Sequence, residues 1–384
     1  MRILLIPSWY PNRTDQMNGI FVKRHALAIS ASNPVHVLFV KKDVHLSHSF
    51  EIVVEEAGNL KTTIGYYKPS RIPLIGKILN LLNYFITWNK LFELQKSEKP
   101  DIVHLNVVWP AGLIYLFSKS LKNIPLLITE HWSGYMEEDG QFKRQFLNRL
   151  VTPLVFKKAK AVSVVSSKIK SAIHKLDLHE KVEIISNVVD NEIFRFQPIE
   201  KAITFQFLHV SSFVEREKNI FNMLLAFEQF CVKQPKASLT LAGNEINFKI
   251  YHQEINRLKN KGLTIEYKGE LTSKQIALLM QKSQCFLLCS FFETQSCVAI
   301  ESICCGLPVL SSNSGGVLDV LNHSNSVIFE GFDADSICRG MEKFYAQSSS
   351  FDSSKIASEA KDLYSPTMIG QKFNALYQSI FFQN

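Results

Sequence analysis

The sequence predicts an α/β chain folded as two doubly wound domains, and three observations carry that expectation. Its 384 residues suit two domains of ordinary size. Short apolar runs alternate with stretches of helical periodicity from end to end, the pattern of βα repeats on mainly parallel sheets. The runs fall into two series of about six, broken by the polar segment Gln197-Pro198-Ile199-Glu200.

The first series of expected strands covers 3–6, 35–40, 102–105, 126–129, 161–165 and 182–185. The second covers 207–210, 238–242, 264–267, 285–289, 309–311 and 326–329. Helical spacing appears between them, as at 21–30, 219–232 and 274–282. A last helix begins near Tyr364-Ser365-Pro366-Thr367, where Ser or Thr caps and Pro takes an early position. The expected domains are 1–198 with 366–384, and 199–365. The serine-rich 348–354 reads as a surface loop.

Hydrophobic residues make up 46% of the chain, which supplies two cores and argues against disorder. The net charge of +8 favours anionic partners. Nucleic acid is not expected, because no zinc-finger spacing, aromatic RNA-binding signature or dense arginine run occurs. Seven cysteines, all from Cys231 onward, form no disulfide framework. Cys285, Cys289, Cys297, Cys304 and Cys305 lie in apolar runs and are expected as buried, reduced thiols, which points to the cytoplasm. The opening MRILLIPSWYP has too short an apolar run for a signal peptide and reads as a first strand. No transmembrane helix is expected, because no run of about 18 apolar residues occurs.

The densest chemistry lies in 290–316, SFFETQSCVAIESICCGLPVLSSNSGG. Glu293 is expected at the exit of a strand, with Glu301 about two turns into the following helix. Either glutamate alone reads as a solvated helix residue. Together, at the carboxyl end of a parallel strand, they suit a polyol, whose hydroxyls donate to carboxylates. Backbone amides around Thr294, Gln295 and Ser296 suit a phosphate.

Other strand ends carry further candidates. The loop 11–22 is long for a βα connection and holds Gly19 just before a helix; a plain surface turn is the other reading. His131 follows a strand in Thr129-Glu130-His131-Trp132, where Glu130 reads as a loop charge. His104 and Asn106 are weaker candidates for acceptor contacts. Arg216 and Lys218 follow the first strand of the second series, and Asn187 lies near the domain join. Gly243 and Gly269 sit in strand-end turns. Asp333-Ala334-Asp335 matches a metal-binding pattern in form but reads as a turn and helix cap. The amphipathic stretch 71–88 is expected to cover the first sheet; an interfacial helix meeting anionic lipid is the alternative.

Glu293, Glu301, Gly306, Pro308, Val309, Gly315 and Gly316 together resemble the donor-binding signature of the retaining glycosyltransferases of family 4. The resemblance covers essentially the full chain and is stronger in its second half. It implies two Rossmann-like domains facing across a cleft, the GT-B fold, with a C-terminal helix crossing back to the first. It implies hexosyl transfer from a nucleotide-diphosphate sugar, a UDP-sugar first and a GDP-sugar second, to a glycan or lipid-linked acceptor in cell-surface polysaccharide biosynthesis. His131, Lys218 and Glu293 take the catalytic positions. Gly19, Arg216, Asn187, Gly243, Gly269, Thr294, Gln295, Ser296 and Glu301 take the donor-binding ones. No metal or other cofactor is implied, and peripheral contact with an anionic membrane is a further expectation. The chain departs from the pattern where Ser211-Ser212-Phe213 replaces Gly-Arg-Leu. That departure keeps two alternatives open: a nucleotide-sugar epimerase of the same fold, and a catalytically silent subunit.

Overall fold

The computed structural model describes residues 1–73, 75–95, 98–200 and 203–382. It divides into two units, Met1–Val188 with Pro366–Asn384, and Val189–Ser365.

The first unit runs β1 (Ile3–Pro7), α1 (Ile20–Ser30), β2 (Val35–Lys42), β3 (Phe50–Ala57), β4 (Leu60–Tyr67), α2 (Gly76–Gln95), β5 (Ile102–Asn106), α3 (Gly112–Phe117) and β6 (Leu126–Glu130). It continues through α4 (Gln141–Arg144), α5 (Phe146–Phe156), β7 (Ala159–Val164), α6 (Ser167–Lys175) and β8 (Val182–Ile184). Its eight strands lie in the order β3-β4-β2-β1-β5-β6-β7-β8. All neighbours are parallel except β3 and β4. The central strands β1, β5 and β6 are buried throughout, which is why they begin as apolar runs; β5 and β6 also bury His104, Asn106, Thr129 and Glu130.

The sequence reading missed the β3–β4 hairpin. β3 carries Glu51, Glu55 and Glu56 on an exposed edge, and β4 buries Thr62, Thr63 and Gly65 alongside Leu60, Ile64, Tyr66 and Tyr67. Its signal was the two-residue Gly58-Asn59 connection, a hairpin turn pair.

The second unit runs β9 (Gln206–Ser211), α7 (Glu215–Lys218), α8 (Ile220–Lys233), β10 (Ser238–Gly243), α9 (Glu245–Phe248), α10 (His252–Asn260), β11 (Thr264–Tyr267), α11 (Ser273–Lys282) and β12 (Cys285–Leu288). Then come α12 (Cys297–Cys304), β13 (Val309–Ser312), β14 (Ser326–Phe329), α13 (Ala334–Gln347) and α14 (Ser353–Leu363). Its six strands are all parallel, in the order β11-β10-β9-β12-β13-β14. This is the doubly wound nucleotide-binding order, with its switch point between β9 and β12.

The last helix, α15 (Pro366–Phe381), belongs to the first unit. It buries Ile369, Phe373, Tyr377 and Ile380 in the core beneath α1. The division between units falls at Val188/Val189, ahead of the expected 198/199. Val189 and Phe194 pack in the second core, and Phe196 lies against Gly306, so this segment goes with the second unit.

The stretch 71–88 also needs correction. α2 does cover the sheet, but through Thr87, Trp88 and Leu91. Gly65 of β4 has no side chain, which lets Thr87 and Leu91 close onto the strand. The apolar stripe expected to face inward points out: Ile78 is 63% exposed and Leu82 51%. Among the cysteines, all seven are free and six are buried; Cys297, at the start of α12, is half-buried.

Gly370 sets the closeness of α15 to α1, because a Cβ there would lie 2.5 Å from the Ala28 carbonyl oxygen. Gly370→Ala is therefore expected to push the helices apart and lower stability by about 1–3 kcal/mol, read by denaturant unfolding. Unchanged stability would show that this contact does not govern the packing.

Candidate functional site

At the switch point of the second unit, the chain leaving β9 turns one way and the chain leaving β12 the other. Lys218 ends the short α7 after β9, and Glu293 lies in the loop after β12. Their side chains meet, with Lys218 Nζ 2.7 Å from Glu293 Oε1, and both are largely buried. Ser290 Oγ donates to the same carboxylate oxygen at 2.8 Å. The Glu293 backbone is fixed to the end of β13. Its N–H donates to Ser314 O at 2.8 Å, and its carbonyl accepts from Gly316 N–H at 3.0 Å. Burial disfavours the Lys218 ammonium, but the Glu293 charge and hydrogen bond outweigh it and hold the Lys218 pKa above its ordinary value. The site thus presents a preset cation beside an oriented carboxylate.

The loop from β9 to Lys218 is held internally. His209 Nδ1 donates to Leu287 O at 2.8 Å, so its Nε2 accepts from Ser211 Oγ, also at 2.8 Å. Ser211 Oγ in turn accepts from Phe213 N–H at 3.0 Å. Burial pushes the His209 pKa down to about 4, so the ring is neutral. Ser211, the departure from Gly-Arg-Leu, is thus committed to shaping the turn. Glu215 accepts from Ile220 N–H at 2.8 Å and Tyr251 OH at 2.9 Å, closing the start of α8.

The other donor-side candidates are dispersed around this pair. Arg216 is half-exposed, with its guanidinium carbon 5.7 Å from the Phe292 ring centroid. Gly243 has φ 137°, and a Cβ there would meet Ser211 O at 1.9 Å, so only glycine fits. Its N–H donates to Gly269 O at 2.9 Å. Ser296 caps α12 by accepting from Ala299 N–H, with Gln295 buried and Thr294 half-buried before it. Glu301 is buried in α12. The helix starts later than expected, so Glu301 is little more than one turn in and Glu293 precedes the helix. Asp333 is the N-cap of α13 and accepts from Ser336 N–H, while Asp335 accepts from Gln229.

In the first unit His131 follows β6, buried against Phe21 and His25 at ring-centroid distances of 4.5 and 5.3 Å. Burial, then the neighbouring His25 and His104, hold its pKa well below the ordinary value. Its Nε2 and both polar atoms of the buried Asn106 have no hydrogen-bond partner among the described residues. Buried orphans of this kind are where ligand hydroxyls or water bind. His104 is no surface contact. It is enclosed in the core, with Tyr377 OH on Nδ1 at 2.8 Å and Thr129 Oγ1 on Nε2 at 2.7 Å. Gly19, with φ 64°, passes so close to Trp9 that a Cβ would lie 2.4 Å from its carbonyl oxygen. Asn187 is buried after β8, where the adjacent Ser186 carbonyl accepts from His25 Nε2 at 3.0 Å.

Glu130 was underestimated as a loop charge. It is fully buried and accepts from Val108 N–H at 2.7 Å, Tyr135 OH at 3.0 Å and His131 N–H at 3.2 Å. It therefore ties the ends of β5 and β6 together and fixes the backbone of His131. Burial pushes its pKa up to about 7. An open cavity of about 770 Å³ lies elsewhere on this unit, beside Arg13, Lys41, Asp43 and Glu51.

These buried groups set the pH dependence of stability. His25 and His104 fall to about 4 and about 3 from an unfolded value of 6.5, and burial is the main cause. A depressed pKa contributes stability that is present above pH 6.5 and lost as pH falls towards the folded values. The shifts are worth roughly 3 kcal/mol for His25 and roughly 5 kcal/mol for His104 at full loss. Glu130, raised from 4.5 to about 7, acts oppositely: its contribution is present at low pH and lost as pH rises through about 7. The histidines outnumber it, so Tm is expected to fall as pH drops from 6.5 to 4.5. A flat profile would contradict their neutral burial.

The comparisons with known proteins agree with this geometry. The model for "Glycosyltransferase Family 4" matches residues 43–193, and that for "Glycosyl transferases group 1" matches residues 190–361. The chain is 24% identical over 255 residues to the N-acetyl-alpha-D-glucosaminyl L-malate synthase of Bacillus anthracis, covering 62% of this chain and 63% of that one. It is 27% identical over 164 residues to one polypeptide of the human phosphatidylinositol N-acetylglucosaminyltransferase, covering 43% and 33%. The chain thus spans less than two thirds of the length of these curated relatives. The fold matches sucrose-phosphate synthase from Thermosynechococcus elongatus at TM-score 0.80, with 18% identity and full coverage of both chains. It matches Anabaena HepE, solved with UDP and glucose, at TM-score 0.72, with 16% identity and 99% and 100% coverage. With the two family models meeting at the junction of its units, the chain belongs to the family 4 glycosyltransferases and has their GT-B fold.

Proposed function

We propose that the chain transfers a sugar from a nucleotide-diphosphate donor, with retention at the anomeric carbon, to a glycan or lipid-linked acceptor. The observation that carries this reading is the buried Lys218–Glu293 pair at the switch point of the second sheet. A leaving diphosphate develops negative charge as the glycosidic bond breaks. A preorganised ammonium in a water-poor site stabilises that charge far more than one in bulk water. In this reading Lys218, with Arg216 nearby, meets the diphosphate, and the amides of 294–296 add to it. Glu293, turned by Ser290, accepts from the sugar hydroxyls, and Glu301 accepts from the ribose.

His131 is the group on the first unit proposed to hydrogen-bond a sugar hydroxyl. Its neutral ring and orphaned Nε2 suit that role better than a cationic one. Four relatives are named as N-acetylglucosaminyl-transferring enzymes or parts of one, and HepE was solved with UDP-glucose, which favours a UDP-sugar. The human relative's name, with phosphatidylinositol in it, favours a lipid-borne acceptor.

A thermal-shift series with UDP, GDP and their sugars tests the donor site, since ligands that bind only the folded chain raise Tm. A rise with one nucleotide, lost in Glu301→Ala, is the expected outcome. No rise with any of them would remove the donor reading, and binding without turnover would favour a silent subunit. Lys218→Met is expected to lower turnover by about 10²–10³-fold. It also leaves Glu293 buried without its counter-charge, lowering stability by about 3–5 kcal/mol. The double variant Lys218→Met/Glu293→Gln should recover the stability but not the turnover. Recovery of both would make the pair purely structural.

A further inference from the structure

The connections β4–α2–β5, β5–α3–β6 and β6–α5–β7 all run the same way across the first sheet. Right-handed crossover therefore lays α2, α3 and α5 on one face, opposite α1 and α15. The three helices form a continuous layer. Phe85 of α2 meets Phe117 at the end of α3, with ring centroids 6.2 Å apart. Gly112 of α3 lies so near α5 that a Cβ would come within 2.8 Å of Val155.

The outer side of this layer is apolar. Ile75, just before α2, and Ile78, Leu82 and Ile86 on it form a stripe that is at least half exposed. On α5 the stripe of Phe146, Leu150 and Leu154 is too, and Phe117 between them is 71% exposed. Single exposed apolar side chains need no explanation, but two aligned helical stripes joined by a phenylalanine do. The charge along the two stripes is mainly positive, although α2 ends with the exposed Glu93. Residues 141–160 contain six Lys or Arg and no Asp or Glu, and residues 57–92 contain five and none. Arg71, Lys77, Lys143, Arg144, Lys157 and Lys158 are all exposed.

We propose that this face docks on an anionic lipid bilayer. The apolar stripes would enter the boundary between headgroups and acyl chains, while the flanking lysines and arginines meet lipid phosphates. A second copy is the poorer occupant, because a two-fold contact would set each basic rim against the other. Among the described residues no helix is long and apolar enough to cross a membrane, so the contact is interfacial. The proposal does not rest on the transferase reading, although it would hold the enzyme beside a lipid-borne acceptor.

Flotation of the full chain with vesicles tests it. The protein should float with mixed phosphatidylcholine–phosphatidylglycerol vesicles and stay down with phosphatidylcholine alone. Ile78→Glu/Leu150→Glu should abolish flotation while keeping the far-UV signal and any nucleotide-induced Tm rise, which separates this proposal from the donor site. Lys143→Ala/Arg144→Ala should weaken binding roughly thirtyfold, from about 1 kcal/mol per cation. Absence of flotation, equal flotation with phosphatidylcholine alone, or wild-type flotation of Ile78→Glu/Leu150→Glu would each overturn it. So would a dimer that Ile78→Glu/Leu150→Glu dissociates, which would assign the face to a second copy.

Discussion

A buried charge must be paired, and in the second unit that constraint organises the whole switch point. The strand order brings β9 and β12 side by side while their onward connections diverge. The backbone gap this leaves at their carboxyl ends is filled by Lys218 from one side and Glu293 from the other. Neither residue would be stable there alone, since an isolated buried ion costs several kcal/mol. The supporting contacts follow from the same need. Ser290 satisfies the carboxylate, the bridge to Gly315 holds its backbone, and His209 with Ser211 fixes the turn that delivers the lysine.

At its own strand ends the first unit buries groups without a cationic partner among the described residues. Ser8, just past the end of β1, donates to the Val107 carbonyl at 2.6 Å, and Glu130 reaches across to Val108. Around them His25, His104 and His131 are buried and uncharged. The contrast is chemically informative. A diphosphate calls for fixed positive charge, whereas hydroxyl groups are recognised by neutral donors and acceptors. The second unit offers fixed positive charge in Lys218, and the first offers the neutral His131 and Asn106. That division of labour supports the proposed transfer without assigning its sugar or linkage.

The exposed layer of α2, α3 and α5 follows from a surplus of apolar faces. A doubly wound sheet needs helices on both sides, but each helix needs only one apolar stripe to do it. α2 sets Thr87, Trp88 and Leu91 against the sheet and still has a second apolar stripe. Covering the sheet therefore does not account for that second stripe.

The sequence by itself determined the α/β class, the two series of parallel strands and the carboxylates of 290–316. Strands buried on both faces are largely apolar, and the strand-end turns need glycine where the backbone closes, as at Gly243 against Ser211. The hairpin of β3 and β4 escaped because Thr62, Thr63 and Gly65 interrupt the apolar residues of β4 and three glutamates lie on β3, so no continuous apolar run marks either strand. Glu130 escaped because its type is that of a surface charge; only the folded chain brings Val108, Tyr135 and His131 around it. Tertiary structure alone decided which face of α2 meets the sheet and that Lys218 meets Glu293, 75 residues away in sequence. Periodicity states that a face is apolar, but which neighbour it packs on depends on the shape of the surface beneath, and that surface is assembled from distant strands.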